Sequence, residues 1–400
     1  MSNMNNSEVI KLHDEYVMGT YARYKVVLKE GKGSAIYDAD GRRYIDFTSG
    51  IGVNSLGIAH DGWVNAVSGQ LSKLQHISNY YYNEPSAELA KKLVSLANMS
   101  MSKVFFANSG AEANEGAMKL ARKYSFDKYG KGRSSIITLR DSFHGRTMTA
   151  LAATGQDVFH NFFFPFPEGF RFIERNNLGA FKHEVENNAD ICAFMLEPIQ
   201  GESGVNLIDA EYMREVRKIC DERDILLIFD EVQTGIARTG KVFGHEYFDI
   251  SADIITLAKG LGGGLPIGAF MCSEKLAGTL DAGKHGSTYG GNPVACTGAL
   301  EVLNIVSCPD FLCDVNEKGE YIANKVTAFN NPMILQVRQR GLMVGVQIKG
   351  EPKTYVQKCL DNGLLVLGAG TDVVRFLPPL NISYAELDEG LTILAGVLKG

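Results

Sequence analysis

Apolar and polar positions alternate along this chain in a way that divides it into three stretches. Residues 8–18 read as a short helix. The runs Ser34-Ala35-Ile36-Tyr37-Asp38 and Arg43-Tyr44-Ile45-Asp46-Phe47 flank Asp40-Gly41, a dipeptide suited to a tight turn, and predict an antiparallel hairpin. Residues 48–57 are too rich in glycine for a regular element and too apolar for a solvated linker, so they are expected to line something. From about residue 85, helical segments such as 87–96 alternate with short apolar runs such as Val104-Phe105-Phe106-Ala107. Further strands are expected at 135–139, 191–196, 225–229, 254–258 and 267–272. This alternation predicts a mostly parallel sheet covered by helices. After about residue 310 the pattern changes to a helix at 317–329 and strands at 333–338, 342–348, 364–367 and 373–376, which suits a smaller α+β domain. The expected division is an N-terminal segment at 1–57 that joins the small domain, a large domain at 58–310 and a small domain at 311–400. No internal repeat or low-complexity segment interrupts it.

Composition narrows the class of partner. Hydrophobic residues make up 45% and charged residues 22% of the 400, as in a globular chain. The net charge of −6 carries no basic cluster for nucleic acid, and no apolar run approaches the ~20 residues of a membrane span. Small molecules are the expected ligands. The polar start, Met1-Ser2-Asn3-Met4-Asn5-Asn6, lacks the basic and then apolar layout of a signal peptide, so a cytoplasmic location is expected. Seven cysteines without a C-x-x-C pair argue against a disulfide framework or a metal site.

Chemistry centres on the run Ile254 to Ala258, which ends at Lys259 and a glycine-rich turn. In an open parallel sheet ligands bind beyond the carboxyl ends of the strands, where this lysine would sit. A lysine in a partly dry cleft can be a free amine, which is what a Schiff base with an aldehyde such as pyridoxal phosphate requires. Taken alone, it reads first as a surface lysine opening a loop, and the other motifs have to overturn that reading. Leu226-Leu227-Ile228-Phe229-Asp230-Glu231-Val232-Gln233 delivers a carboxylate to the same edge. Asp230 there needs a cationic partner, and a protonated pyridine nitrogen supplies one; capping of the next turn is the alternative. Glu231, Val232 and Gln233 are expected beside the cofactor, with Gln233 on the ring hydroxyl.

Asn108-Ser109-Gly110-Ala111 opens a helix, so the Ser109 hydroxyl and the Gly110 and Ala111 N–H groups can receive a phosphate, or Ser109 is an ordinary cap. Phe143-His144-Gly145-Arg146 offers a ring to stack on a cofactor and a planar fork for a substrate carboxylate. Arg375 lies in an apolar run, where an arginine calls for an anion, and Glu197-Pro198-Ile199-Gln200-Gly201-Glu202 brings two carboxylates near it. Gly286-Ser287-Thr288-Tyr289 is a hydroxyl-bearing turn able to bind phosphate. Gly260-Leu261-Gly262-Gly263-Gly264-Leu265 lacks the last glycine of a dinucleotide fingerprint and precedes Pro266 rather than a helix, which disfavours a nicotinamide oxidoreductase.

Together these motifs resemble the class III (omega) aminotransferases, pyridoxal-phosphate enzymes of fold type I, the aspartate-aminotransferase-like fold. The likeness spans nearly the whole chain: Asp230, Lys259 29 positions later, the Ser109-Gly110-Ala111 turn, Phe143 with Arg146, and Thr288 stand in the family's order. Residues 49–57 and Ser78-Asn79-Tyr80-Tyr81-Tyr82-Asn83-Glu84-Pro85 look most like the acetylornithine branch, with the ornithine branch next. The resemblance implies Lys259 as Schiff-base lysine, Asp230 as pyridinium partner, Phe143 as stacking ring and Gly110-Ala111 as phosphate turn. It also implies a homodimer in which Thr288 comes from the second subunit, and substrate contacts from Arg146, Glu202, Ser287 and Arg375. The implied reaction moves the terminal amino group of N2-acetyl-L-ornithine to 2-oxoglutarate, a step of arginine biosynthesis. An ornithine, succinylornithine or 4-aminobutyrate aminotransferase of the same family is the alternative, and after it a same-fold mutase or decarboxylase, separated by whether a keto-acid acceptor is required. Ala59-His60-Asp61-Gly62 departs from the His-Pro pair usual in the family.

Overall fold

The computed structural model describes residues 4–97 and 101–399, so the first three residues of the polar N-terminal stretch lie outside it. Seven apolar runs form one sheet: β1 Lys103–Ala107, β2 Ser135–Leu139, β3 Phe170–Ile173, β4 Ile191–Leu196, β5 Leu226–Asp230, β6 Ile254–Leu257 and β7 Gly268–Cys272. Their order is β1-β7-β6-β5-β4-β2-β3. The pairs from β6 to β3 are all parallel, and β7 alone runs antiparallel to both its neighbours. The register of β7 opposes Gly268 to Ala107, so its start lies at the edge where β1 ends.

Both faces of the sheet are covered, which is why β2, β4, β5 and β6 read as continuous apolar runs. Alternate residues divide between the faces. Leu226, Ile228, Ala193 and Met195 pack with Ala117, Met118 and Ala121 of α1 (Gly110–Tyr129). Leu227, Phe229, Phe194 and Leu196 join the larger core with Met213, Val216 and Cys220 of the helix Ala210–Arg223. Helix α1 comes very close to β7, because a Cβ at Gly116 would stand only 2.2 Å from the Phe270 ring.

The N-terminal hairpin forms as Ala35–Asp38 against Arg43–Asp46, preceded by a strand, Leu28–Lys32, that the apolar pattern did not reveal. Arg43–Asp46 also pairs in parallel with Leu364–Leu365 from the C-terminal part of the chain. A second four-stranded antiparallel sheet contains Ile334–Arg340, Met343–Ile348, Val373–Phe376 and Leu367–Ala369. The helix expected at 317–329 begins earlier, at Pro309, where proline suits the first helical position, and runs to Ala328. Within 48–57, Gly50 and Ile51 have φ near +65°, so the segment is irregular as its glycines suggest. Ser49 donates to the Leu377 carbonyl and Ser55 to the Gly260 carbonyl, which wedges this segment between the C-terminal sheet and the turn after Lys259.

Candidate active site

Loops from the carboxyl ends of β1, β2, β4, β5 and β6 enclose a cavity of about 480 Å³. Its wall contains Ser109, Gly110, Ala111, Phe143, Arg146, Glu202, Asp230, Val232, Gln233 and Lys259. The placement follows from register. Asp230, the last residue of β5, is opposite Thr256 of β6, and Lys259 follows three positions on.

Lys259 has a left-handed backbone, φ +41°, an arrangement that is costly for a residue with a Cβ and that clusters at functional sites. The turn is fixed by the Gly262 N–H donating to the Lys259 carbonyl and by Leu261 N–H donating to Ala258. Burial first, and the Arg375 guanidinium second, hold the Lys259 amine down to about 8; Asp230, Glu197 and Glu202 pull the other way. At neutral pH an appreciable fraction is therefore free amine.

Asp230 is 3% exposed. It continues the parity of Leu226 and Ile228 and so faces α1. There Asn114 Nδ2 donates to Asp230 Oδ2 at 2.7 Å and to the His144 carbonyl at 2.7 Å. His144 Nδ1 lies 2.8 Å from the same carboxylate oxygen, and the Val232 N–H donates to Oδ1. A buried carboxylate held by neutral donors and a histidine retains capacity for one more cationic partner at the cavity face. Asn114 and His144 were not singled out from the sequence. An asparagine on an otherwise Ala/Met-lined helix face was the available signal for the first.

The N-terminus of α1 presents Gly110 and Ala111 to the cavity as its first helical residues, whose N–H groups have no carbonyl partner within the helix. Ser109 lines the cavity too, but its hydroxyl caps the helix by accepting from Glu112 N–H at 3.2 Å. Gly110 is needed for closeness, since a Cβ there would lie 2.7 Å from Val232 Cγ1. This is an anion cradle facing the lysine.

Phe143 forms one wall and packs edge-on against Phe159, with ring centres 5.9 Å apart. The Arg146 guanidinium lies 4.0 Å from the Phe159 ring centre, and among the described residues no carboxylate pairs with it. Arg375 is fully buried and donates to Glu202 Oε2 at 3.3 Å and to Gln233 Oε1 at 3.1 Å. Burial pulls its pKa below the ordinary range, and Glu202 opposes that pull. Gln233, expected on a ring hydroxyl, lines the cavity; its oxygen accepts from Arg375, which leaves its amide N–H groups as donors. Glu197, 5% exposed, sits in the same wall, and burial lifts its acid to about 7.

Two expected residues lie elsewhere, and a third, Thr288, was expected at a second subunit's site. Glu231 does not reach the cavity: strand alternation sends it to the face opposite Asp230. Its carboxylate accepts from the Gly244 N–H (2.8 Å), the His245 N–H (2.7 Å) and the Thr234 hydroxyl, and so anchors the following loop. Ser287 Oγ accepts from Asn108 Nδ2 and Gly290 N–H and serves as a turn anchor. Thr288 is exposed and outside this chain's cavity.

A near-neutral amine, a buried carboxylate with a free face, an aromatic wall and an N–H cradle form a donor set that fits pyridoxal phosphate. Residues 17–398 match the class-III aminotransferase family. An acetylornithine aminotransferase of Haemophilus ducreyi is 50% identical over 99% of this chain and 100% of its own length. The crystal structure of N-acetylornithine aminotransferase from Stenotrophomonas maltophilia superposes with a TM-score of 0.85 at 35% identity, covering 98% of both chains. An ornithine aminotransferase from Toxoplasma gondii, with PLP in partial occupancy at its active site, gives a TM-score of 0.93 at 30% identity over 98% of this chain and 94% of its own. The chain belongs to the class-III aminotransferases and is a pyridoxal-phosphate-dependent transaminase of fold type I.

Proposed function

We propose that this transaminase moves the terminal amino group of N2-acetyl-L-ornithine to 2-oxoglutarate, giving N-acetylglutamate 5-semialdehyde and glutamate, as a step of arginine biosynthesis. The observation that carries this reading is the buried Arg375 paired with Glu202 in the wall that holds Lys259. One cavity must accept a donor whose reacting amine is far from its carboxylate and an acceptor whose keto group adjoins one. A masked arginine suits the first, and an unmasked one the second. The 50% identity to an acetylornithine aminotransferase supports the same donor. Ornithine is the second reading, supported by the fold likeness at 30% identity.

When bound, pyridoxal phosphate supplies the carbonyl that receives and returns the amino group. In this reading Lys259 is the amine that holds the cofactor and moves the proton. Asp230, fixed by Asn114 and His144, keeps an anion opposite the pyridine nitrogen. Phe143 covers the ring, Gly110 and Ala111 receive the phosphate, and Arg146, lacking a carboxylate of its own, takes the substrate's distal carboxylate. Thr288, exposed on its own chain, reaches the cavity of a second copy in a homodimer. Seven unpaired cysteines suit a reducing, cytoplasmic compartment.

Purified protein assayed with 2-oxoglutarate and, in turn, N-acetylornithine, ornithine, succinylornithine and 4-aminobutyrate is expected to show its highest kcat/KM with N-acetylornithine. A higher value for any other donor overturns the assignment. Turnover without a keto acid would point to a mutase.

A further inference from the structure

Glu197 ties two loops of the cavity wall together. It stands just beyond β4, and each carboxylate oxygen serves a different loop: Oε1 accepts the Phe143 N–H at 2.9 Å, and Oε2 accepts the Gly201 N–H at 3.3 Å. Gly201 immediately precedes Glu202, and space around it is tight, since a Cβ there would stand 2.1 Å from Gln233 Oε1. Glu202 and Gln233 are the two acceptors of Arg375. A shift of the Gly201 backbone is thus felt by both.

The charged groups that face Glu197 are Lys259, Arg375, His144 and Asp230. The first two favour its anion, as does His144, and Asp230 opposes it. Burial outweighs the attraction and lifts the acid to about 7, so the carboxyl exchanges a proton with solvent in the neutral range. Hydrogen bonds to a carboxylate weaken when it becomes neutral, and a protonated oxygen donates rather than accepts. The longer bond, to Gly201, is the one to go.

We infer that Glu197 is a positioning residue that sets the Arg375 gate: ionised, it holds Gly201 and keeps Glu202 on Arg375; protonated, it releases Gly201 and frees Arg375 for an α-carboxylate. This deepens the functional reading above and rests on it. The site's preference between its two amino donors, glutamate and the ω-amine, then depends on pH through a residue that need not touch either.

The test is the ratio of the glutamate to the N-acetylornithine half-reaction, each measured on the holoenzyme at low substrate from its absorbance change. Effects common to both, including that of Lys259, cancel in the ratio. The parent ratio is expected to fall roughly tenfold from about pH 6 to about pH 8, a change of ~1.4 kcal/mol. In Glu197→Gln, which cannot ionise, the ratio should stay level at the parent's low-pH value. A Glu197 that merely supports the wall would slow both half-reactions and leave the slope. A level parent ratio, or a Glu197→Gln protein that keeps the parent slope, overturns the inference. Should Glu197→Gln not fold, Glu202→Gln decides: removing the gate's charge must abolish the slope. No N-acetylornithine half-reaction at any pH would sink the functional reading instead. The parent's glutamate rate constant divided by that of Glu197→Gln at the same pH, a ratio in which the effect of Lys259 again cancels, would then have to fall through neutral pH.

Discussion

Lys259 brings together a left-handed backbone, a buried ammonium position and a guanidinium neighbour, and the last two favour the free amine. Below about pH 8 the folded protein keeps the proton on this amine, and above it the amine is free, whereas an ordinary lysine keeps its proton to about 10.4. In cofactor-free protein, labelling of Lys259 by a neutral amine-selective acylating reagent is therefore expected to rise about tenfold per pH unit and level off above about pH 8. A rise continuing to about pH 10 would mean that the cavity does not perturb it. Lys259, Asp230, Gly110 and Phe143 were legible in the sequence because each follows or closes an apolar run at one edge of the sheet. Asn114 and Glu197 were less so, since their partners are set by how α1 and the β4 loop dock. Glu231 shows the opposite case. Its adjacency to Asp230 suggested a shared site, yet neighbours on a strand face opposite ways, and that rule alone separates them.

At the level of elements, the central strands announced themselves as unbroken apolar runs because helices cover both faces of the sheet. The edge strand Leu28–Lys32 is mostly exposed and β3 only partly buried, so neither carries such a run. The antiparallel direction of β7 was not drawn from the sequence, although its connection from β6 has no room for a covering helix, which a parallel return needs. The C-terminal helix Tyr384–Lys399 went unnoticed because Gly390 interrupts its pattern, although that glycine admits the Phe47 ring, 2.4 Å from where a Cβ would stand. Gly116 does the same for α1 against β7. In an exposed helix Gly→Ala gains roughly 0.5–1 kcal/mol from propensity. Here Gly116→Ala is expected to destabilise by about 1–3 kcal/mol through overpacking against Phe270, measured by denaturant unfolding. A stabilised variant would show that α1 is free to move away from the sheet.

For the whole molecule, the proposed homodimer makes a demand that one chain cannot meet, because Thr288 is exposed on its own subunit and belongs to its partner's phosphate site in the functional reading. No helix among the described residues is by itself long and apolar enough to cross a membrane. Exposed aromatic residues at Tyr80, Tyr82 and Tyr289 offer apolar surface for a second copy. Lys259→Ala and Thr288→Ala proteins, each impaired alone, should regain activity when their subunits exchange, because one site of each heterodimer carries both lesions and the other neither. At equal mixing about a quarter of all sites become intact. Subunit exchange seen by mass spectrometry without recovery would reject the shared site. The central claim is that the sheet aims its loops at one amine, and it is tested most directly by borohydride reduction of the yellow holoenzyme followed by peptide mapping. The cofactor's mass should be found on the peptide containing Lys259 and be lost from that peptide in Lys259→Ala; an active enzyme that carries it on any other lysine would contradict the account.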